Sequence, residues 1–354
     1  MKKISKYQKI GILINKITGG GAERFSVNLA NGLVDNGYSV FLITSKKREK
    51  EYPLNQHVYR NESFSGSSIL SDMFFLRNYL KQEHIDVLIA VDIYANLCAA
   101  LSNFFLKTKI VICERNAPAQ TNLRFITKLA RKFLYWRGDA YVFQTTGARE
   151  FYSKSIQKRG YVIPNPVKPS LPLRTMKKKE VIAIGRLTKQ KNYDVLINAF
   201  SEVCKVNNTY QLRIFGEGEE KQRLKDMVYM LQIQDNVCFE GYYADVHTEI
   251  READIYVLSS DYEGLPNSLM EAMAMGFPVI STDCPAGGPK MLIKDGENGL
   301  LVSVNCTKEL TKAILYMIGH QTEKENMALK ARQVGQKYSE QEILKLWVKF
   351  LDEI

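Results

Sequence analysis

The sequence lacks the features that would place it among disulfide-rich, zinc-binding, secreted or membrane-spanning proteins. Its six cysteines are scattered, without a C-x-x-C pair or a histidine at ligand spacing, so neither a disulfide framework nor a zinc site is expected. The basic N-terminus offers about five apolar residues before Lys16, too few for a signal-peptide core. The longest uncharged apolar stretch, Ile93 to Leu106, is shorter than the roughly 20 residues that span a bilayer. We therefore expect a protein of the reducing cytoplasm without a transmembrane segment.

The sequence does contain enough apolar residues for two full hydrophobic cores. The chain has 354 residues, of which 45% are hydrophobic and 25% are charged. This length suits two domains of about 150 to 180 residues each. Because the composition is not biased towards disorder or fibres, an ordinary globular protein is predicted.

The net charge of +11 is unevenly distributed along the chain. Residues 1–170 contain 26 Lys and Arg against 12 Asp and Glu, whereas residues 171–354 contain 23 against 26. This asymmetry favours a polyanionic partner for the first half: an anionic membrane, a phosphorylated substrate or nucleic acid. A solvated basic surface is the alternative. No recognisable nucleic-acid-binding motif accompanies the charge, so we expect no nucleic-acid partner.

The segment from Asn122 to Arg137 has the pattern of a basic amphipathic helix. Its basic residues alternate at helical spacing with apolar ones: Lys128, Arg131, Lys132 and Arg137 with Leu123, Phe125, Ile126, Leu129, Phe133, Leu134 and Trp136. We predict that this helix lies on an anionic membrane surface. Alternatively it packs its apolar face on its own sheet, and both can hold if only one flank is exposed.

Short β-rich runs alternate with helical patterns, which predicts α/β domains with parallel, doubly wound sheets. Six strands are predicted in each half: Ile10–Asn15, Ser39–Thr44, Val87–Val91, Ile110–Cys113, Ala140–Phe143 and Tyr161–Ile163, then Val181–Ile184, Gln211–Phe215, Val237–Glu240, Ile255–Leu258, Pro278–Ser281 and Gly299–Val302. Four prolines and a lysine run mark Ile163 to Lys179 as a linker. We predict two Rossmann-like domains, residues 1–170 and 171–354, facing a central cleft, with the last helix a candidate to pack back on the first domain.

A glycine-rich loop, Gly19-Gly20-Gly21-Ala22-Glu23-Arg24, follows the first predicted strand and opens a helix. Glycines let the backbone approach a ligand, and N–H groups at a helix start attract anions such as phosphate. The spacing matches neither the dinucleotide fingerprint nor the Walker loop. A tight structural turn is the alternative.

The second half begins with a strand followed by Gly185-Arg186-Leu187-Thr188-Lys189-Gln190-Lys191-Asn192. Arg186 and Lys191 can converge on one anion across this short turn, because an arginine fork fits phosphate oxygens well. Ordinary surface basic residues are the alternative.

The most specific motif is Glu263-Gly264-Leu265-Pro266-Asn267, with Glu271 eight residues after Glu263. Pro266 suits the first turn of a helix, so Glu263 is expected on the loop and Glu271 within the helix. Eight helical residues span about 12 Å, too far for two carboxylates to flank one glycosidic bond. The pair can instead hold two ends of an elongated ligand, with an anion at the N–H groups near Leu265 to Ser268. Two unrelated helix glutamates are the alternative.

Together these motifs resemble the retaining, nucleotide-sugar-dependent family 4 glycosyltransferases of the GT-B fold. The glycine loop, the Gly-Arg-Leu…Lys segment and the Glu-x7-Glu motif occur in that order over almost the whole chain. Two further stretches, Cys113 to Pro118 and Cys284 to Lys290, resemble bacterial members that build capsule, exopolysaccharide, O-antigen or protein-linked glycans on polyprenyl diphosphate.

The resemblance implies a role for each matching residue. Arg186 and Lys191 would bind the donor diphosphate, and Glu263 would contact the transferred sugar. Glu271 would bind the ribose hydroxyls. The backbone of the remaining motif residues would line the donor or approach the reacting centre: Gly264, Leu265, Pro266, Asn267 and Ser268, with Gly20 and Gly21 from the first loop.

One departure from the family concerns the acceptor side. Many relatives carry a histidine at the end of a mid-domain strand near the anomeric carbon, but none of the four histidines here fits that place. Glu114, Arg115 and Asn116 occupy the comparable strand end and are the acceptor-side candidates. An ordinary loop salt bridge is the alternative.

Metal use can be addressed independently of the resemblance. The sequence contains no Asp-x-Asp, the carboxylate pair that usually carries Mg²⁺ or Mn²⁺ for a diphosphate leaving group. Arg186, Lys191 and helix-start dipoles can neutralise the same charge. We expect no metal and no resident cofactor, and the resemblance implies retention of anomeric configuration, with front-face attack as the family's usual account.

The sequence thus predicts a glycosyltransferase, peripheral on the inner face of the cell membrane. It would move a hexose or N-acetylhexosamine from a UDP-linked donor to a polyprenyl-diphosphate-linked saccharide. One alternative is a GT-B nucleotide-sugar epimerase or hydrolase, against which the shortage of histidines argues. The other is a non-catalytic nucleotide-binding scaffold, against which the intact charged motif residues argue.

Overall fold

A computed structural model of the chain describes residues 7–104, 106–115, 117–119 and 125–354. Within them, thirteen strands form two sheets: β1 Lys9–Leu13, β2 Ser39–Ile43, β3 Tyr59–Asn61, β4 Val87–Ala90, β5 Lys109–Glu114, β6 Ala140–Phe143, β7 Gly160–Val162, β8 Glu180–Ile184, β9 Gln211–Phe215, β10 Val237–Gly241, β11 Ile255–Leu258, β12 Val279–Thr282 and β13 Leu300–Val302.

Helices connect the strands throughout the described residues. They are α1 Gly21–Asp35, α2 Ile69–Gln82, α3 Ile93–Ser102, α4 Phe125–Leu134, α5 Thr146–Glu150, α6 Lys154–Lys158, α7 Tyr193–Val206, α8 Lys221–Met230, α9 Val246–Ile250, α10 Asn267–Met275, α11 Gly288–Leu292, α12 Thr307–Gly319, α13 Gln321–Ala331, α14 Gln333–Lys337 and α15 Glu340–Glu353, with 3₁₀ turns at Tyr135–Arg137 and Lys189–Lys191. None of these helices combines the length and the hydropathy that crossing a bilayer requires.

Both sheets are parallel and doubly wound, as predicted. The first has the strand order β3-β2-β1-β4-β5-β6-β7 and the second β10-β9-β8-β11-β12-β13. Ile10 of β1 pairs in register with Val40 on one side and Val87 on the other. The central strands β4 and β11 are buried along their whole length, which explains their uninterrupted apolar sequences, because helices cover both faces of a parallel sheet.

All twelve predicted strands are present, with ends that differ from the prediction by no more than two residues. Strand β3 was not predicted from the sequence. Its three residues, Tyr59 to Asn61, have no apolar run, and they pair with β2 at the edge of the first sheet. An edge strand with one sheet neighbour needs little hydrophobic patterning, so periodicity gave no signal for it.

The chain divides into two compact units, one comprising the residues up to Pro166 with Glu340–Ile354 and the other Val167–Ser339. The division therefore falls four residues before the predicted boundary at residue 170, and α15 belongs to the first unit rather than to residues 171–354. The last helix thus packs on the first unit, as the sequence suggested it could, and aromatic packing holds it there: the ring centroids of Trp347 in α15 and Phe25 in α1 are 5.7 Å apart.

Each sheet has one point at which the order of its strands reverses. In the first unit this point lies between β1 and β4, and in the second it lies between β8 and β11. Ligands of open α/β sheets bind outside the carboxyl ends of the strands at such a point. The loops after these strands are therefore where each unit is expected to bind a ligand.

Candidate active site

The centre of the candidate site in the second unit is an ion pair between two motif residues. Lys191, in the 3₁₀ turn after β8, donates from Nζ to Oε1 of Glu263 at 2.6 Å. The Ser260 hydroxyl, two residues after β11, donates to the same oxygen at 2.8 Å. Both charged side chains are largely buried. The carboxylate is therefore held in one orientation next to a cation, at the carboxyl ends of the two strands where the sheet reverses.

Further hydrogen bonds join the loop after β8 to the loop after β11. The Asn192 amide donates to Oδ1 of Asp261 at 2.6 Å, and the Gln190 amide donates to the Tyr262 carbonyl at 2.9 Å. The Ser259 hydroxyl donates to the carbonyl of Lys191 at 2.9 Å. These contacts fix the backbone on both sides of the ion pair, so its geometry does not depend on two flexible side chains alone.

Arg186 differs from Lys191 in its surroundings. Its side chain is exposed, and within the described residues it makes no hydrogen bond or ion pair. The sequence predicts that these two cations meet on one anion. In the structure, Lys191 is paired with Glu263 while Arg186 extends to solvent from the end of β8.

The motif segment between the two glutamates forms the entry to α10. The helix begins at Asn267, and Pro266 precedes it as the N-cap residue in an extended conformation. The prediction that Pro266 lies in the first helical turn was wrong by one residue. Ser268, in that first turn, accepts a hydrogen bond from the Tyr256 hydroxyl of β11 at 2.9 Å. Leu265 is buried, so the loop is anchored on both sides of the proline.

The Cys284 to Lys290 stretch supports this entry by a close backbone contact. A Cβ atom at Gly288 would lie 1.8 Å from the carbonyl oxygen of Gly264, so only glycine fits there. The buried thiol of Cys284 is near Glu263, and burial, followed by the charge of that carboxylate, raises the pKa of Cys284 to about 12. The second glycine of the stretch therefore permits the observed course of the loop that precedes α10.

The second carboxylate, Glu271, lies within α10 and is nearly buried. Its Oε2 atom is 3.1 Å from Nε2 of His247, a residue of α9. The predicted placement of Glu263 on the loop and Glu271 on the helix is thus what the structure has.

In the first unit, Gly20 and Gly21 form the start of α1. Gly20 is the N-cap residue, and Gly21 is the first residue of the helix. The carboxylate of Glu23 lies next to Gly20: a Cβ atom added at Gly20 would be 2.0 Å from Oε2 of Glu23. An acidic side chain at the third helical position interacts favourably with the positive end of a helix dipole.

The acceptor-side candidates lie at the end of β5. Glu114 is buried and accepts a hydrogen bond from the Tyr152 hydroxyl at 2.6 Å. Burial, together with the charge of Glu114, raises the pKa of Tyr152 well above its ordinary value, so this hydroxyl keeps its proton. Asn116 lies outside the described residues.

Arg115 is also buried, and it is packed among aromatic rings. Its guanidinium lies 3.4 Å from the ring centroid of Phe25 and donates from Nη1 to Oδ1 of Asn165 at 3.2 Å. Its Nε and Nη2 atoms have no hydrogen-bond partner among the described residues. Burial lowers the pKa of Arg115 to about 10, which still leaves it charged at neutral pH.

Comparisons with known proteins match this chain over nearly its whole length. The family described as Glycosyltransferase Family 4 matches residues 19–171, and the family described as Glycosyl transferases group 1 matches residues 170–334. The chain belongs to the family 4 glycosyltransferases.

Individual relatives agree with this assignment. An uncharacterized glycosyltransferase of Haemophilus influenzae is 29% identical, over 96% of this chain and 99% of the relative. The GalNAc-alpha-(1->4)-GalNAc-alpha-(1->3)-diNAcBac-PP-undecaprenol alpha-1,4-N-acetyl-D-galactosaminyltransferase of Campylobacter jejuni is 28% identical, over 98% and 99%. The structure of Anabaena Alr3699/HepE in complex with UDP superimposes with a TM-score of 0.83 at 17% identity, covering 98% of this chain and 100% of that one, and shows that the fold is GT-B.

The predicted amphipathic helix of the glycosyltransferase divides its apolar residues between core and solvent. Leu134 and Tyr135 pack on the first unit's core, whereas Phe125 is 77% exposed, Phe133 60% and Trp136 61%. Lys128 and Lys132 are exposed on the same side. Residues 122–124, the beginning of the predicted segment, lie outside the described residues. The helix therefore presents an aromatic and basic surface while its other side packs internally.

Several polar residues that hold the loops after β8 and β11 and the helix α10 were not identified from the sequence. Ser260, Asn192 and Gln190 follow the same strand ends as the motif residues, and His247 lies on a separate short helix. The first three could have been found by asking which polar residues flank the predicted strand ends. Nothing in the sequence connects His247 with Glu271, because the two are brought together only by packing.

Proposed function

We propose that this glycosyltransferase moves a hexose or N-acetylhexosamine from a UDP-linked donor to a saccharide carried on polyprenyl diphosphate. The observation that carries this proposal is the Lys191–Glu263 pair at the carboxyl ends of β8 and β11. It combines a cation for a phosphate with a carboxylate for sugar hydroxyls at one fixed point. The product would be a lengthened lipid-linked glycan for a surface polysaccharide or glycoprotein.

The donor diphosphate would bind to Lys191 and Arg186. When the bond between the sugar and the diphosphate breaks, negative charge grows on the leaving phosphate. A positioned cation stabilises that charge more in the transition state than in the ground state. Arg186, which is exposed, can turn towards this phosphate, and the start of α10 adds the positive end of a helix dipole. UDP in the HepE structure, which shares the fold, supports a UDP donor.

The two glutamates would bind opposite parts of the donor. Glu263, oriented by Lys191 and Ser260, would accept hydrogen bonds from the transferred sugar. Glu271 would accept hydrogen bonds from the ribose hydroxyls. Gly264 to Ser268 lie between the two carboxylates in sequence and would follow the diphosphate and sugar with their backbone. No metal or resident cofactor is part of the proposal, and we propose transfer with retention of the anomeric configuration.

The acceptor would bind to the first unit. Glu114 and Arg115 lie at the end of β5, on the edge of the sheet where ligands bind. Gly20 and Gly21, at the end of the loop after β1, would let this loop approach the donor at the reacting centre. The printed name of the Campylobacter jejuni relative specifies an undecaprenyl-diphosphate-linked acceptor, which supports a lipid-linked acceptor here.

A lipid-linked acceptor requires contact with a membrane, and α4 offers a surface of the right chemistry. Exposed aromatic rings beside lysines are typical of helices that lie in the headgroup region of anionic lipid. The guanidinium carbon of Arg131 lies 5.2 Å from the ring centroid of the exposed Phe151, and that of Arg137 lies 3.6 Å from the ring centroid of the exposed Phe104. These two rings extend the aromatic and basic surface beyond α4. We propose peripheral attachment to the cytoplasmic face of the cell membrane.

The test is a donor screen on the purified protein. A panel of UDP-sugars is incubated with and without a membrane lipid extract, and products are identified by mass spectrometry. We expect one sugar to be added to a lipid-linked saccharide only when the extract is present. If the donor is epimerised or hydrolysed in the absence of extract, the protein is an epimerase or a hydrolase and not a transferase. No turnover and no UDP binding would overturn the proposal.

A further inference from the structure

A buried histidine is in contact with the Glu271 carboxylate in the second unit. His247 is 7% exposed, and its Nε2 atom lies 3.1 Å from Oε2 of Glu271. On the other side of the ring, Nδ1 lies 3.5 Å from Nζ of Lys168 and 3.9 Å from Oδ1 of Asp245. His247 and Lys168 are thus in contact with the donor site without belonging to any of its sequence motifs.

The partners of the ring assign its tautomer. An ammonium group has only hydrogens to donate, so at 3.5 Å from Lys168 the Nδ1 atom is the acceptor. In a neutral imidazole the remaining hydrogen is then on Nε2, where it points to the Glu271 carboxylate. Lys168 therefore favours the tautomer that donates a hydrogen bond to Glu271.

We propose that His247 is a positioning residue that fixes the Glu271 carboxylate for recognition of the ribose hydroxyls. The inference rests on the proposed donor-binding role of Glu271. A glutamate side chain rotates about three bonds, and its carboxylate must be stationary to accept hydrogen bonds from two adjacent hydroxyls. Holding it before the nucleotide arrives removes the ordering cost from the binding step.

The substitutions that test this differ in the length of one amide side chain. In His247→Gln, the glutamine amide nitrogen can reach the position of Nε2 and donate to Glu271. In His247→Asn, the shorter amide reaches only the position of Nδ1 and leaves Glu271 without this donor. His320→Asn is the matched control, because His320 lies exposed at the end of α12 in the same unit.

The measurement is calorimetric binding of UDP and of 2′,3′-dideoxy-UDP to the full chain. For His247→Asn we expect the Kd of UDP to rise about tenfold, since a buried hydrogen bond to a charged group is lost. The Kd of the dideoxy analogue, which has no ribose hydroxyls for Glu271, should change by less than about twofold. His247→Gln should bind UDP almost as the wild type does, and His320→Asn should not differ from it.

Measuring both nucleotides on one variant separates positioning from damage to the fold. If His247→Asn weakens UDP and the dideoxy analogue equally, or weakens neither, the proposal for His247 is overturned. Glu271→Gln tests the underlying assumption, because it should abolish the preference for UDP over the analogue. If that preference survives in Glu271→Gln, the ribose role of Glu271 fails and the proposal for His247 fails with it. If Glu271→Gln loses the preference while His247→Asn keeps it, only the inference about His247 is lost.

Discussion

The two units of this glycosyltransferase differ in what their charged residues do. The first contains 27 Lys and Arg against 16 Asp and Glu, and the second contains 22 against 22, so the net charge of the chain resides in the first. In the second unit, charges are buried in pairs, as at Lys324 with Asp254 and Lys191 with Glu263. The first unit also has such a pair, Arg60 with Glu51, but the lysines of its α4 are exposed beside aromatic rings. Paired charges fix the geometry of a site, whereas unpaired exposed charges are available to a partner.

The largest effect is expected where the buried pairs of the second unit are broken. Asp254 is buried and accepts hydrogen bonds from Lys324 at 2.7 Å, from Arg174 at 3.0 Å and from the Tyr210 hydroxyl at 2.8 Å. Asp254→Ala leaves a buried ammonium without its partner, so the free energy of unfolding should fall by about 3–5 kcal/mol. Urea unfolding followed by circular dichroism measures the loss, and hydrogen exchange shows whether the second unit opens first.

Glu202→Ala is the control for this prediction. Its pair with Lys205 lies within α7 in the same unit, with both side chains half or more exposed, so the change should be below about 1 kcal/mol. Equal losses in the two variants would contradict the idea that an ion pair contributes to stability according to its burial.

The next largest effect concerns catalysis in the same unit. Lys191→Ala and Arg186→Ala should each reduce turnover by roughly 100-fold, because one charge-assisted donor at a developing phosphate charge contributes about 3 kcal/mol. Steady-state rates with the donor found in the screen provide the measurement. Lys189→Ala, an exposed lysine of the same 3₁₀ turn, should keep wild-type turnover. Normal turnover in the Lys191 or Arg186 variant would remove that residue from the active site.

The fold could be predicted from the sequence because each central strand is an apolar run bounded by turn residues. β4 and β11 contain only apolar residues and are buried throughout, so periodicity and burial agree. β3 lacked this signal, since Tyr59 to Asn61 have no apolar run and, among the described strands, pair only with β2 at the edge of the sheet. The packing of α15 on the first unit was predicted only as a possibility from its place at the end of the chain, and its contact between Trp347 and Phe25 could not be predicted, because it joins residues more than 300 positions apart.

The candidate site was predictable where residues follow strand ends and not where packing alone brings them together. Lys191 and Glu263 were each identified from their motifs, but nothing in the sequence predicted that they pair with each other. Burial was also unpredictable, since nothing in the Glu-Arg sequence at the end of β5 indicated that Glu114 contacts Tyr152 and that Arg115 packs against Phe25. Motifs identify which chemistry is present, whereas tertiary contacts decide which groups are held fixed.

A smaller effect is expected at the exposed charges of the first unit. Reversing Lys128, Arg131 and Lys132 to Glu should weaken binding to phosphatidylglycerol vesicles, because each basic residue near an anionic surface contributes about 1 kcal/mol. Sedimentation at increasing salt measures the affinity, which should fall as the charges are screened. Circular dichroism verifies that the variant is folded.

The control has the same change in net charge at another place in the first unit. Lys46, Lys47 and Lys50 are exposed in the loop after β2, and their reversal to Glu should reduce vesicle binding less than reversal on α4. If both triple variants lose binding equally, total charge rather than the α4 surface attracts the membrane. If neither does, or if neutral vesicles bind as well as anionic ones, the aromatic and basic residues of α4 have no membrane role.

The smallest effect is expected from removing divalent metal ions. This prediction concerns the charged residues of the second unit again. A diphosphate leaving group needs positive charge, and in this chain Lys191 and Arg186 can supply it from the loop after β8. Turnover in excess EDTA should therefore equal turnover in Mg²⁺ or Mn²⁺. The comparison becomes sharper with Lys191→Ala, in which the residual rate should also be insensitive to EDTA, because the sequence has no Asp-x-Asp pair to bind a substitute cation. Loss of wild-type turnover in EDTA that Mn²⁺ restores would mean that a metal, and not these side chains, neutralises the leaving group.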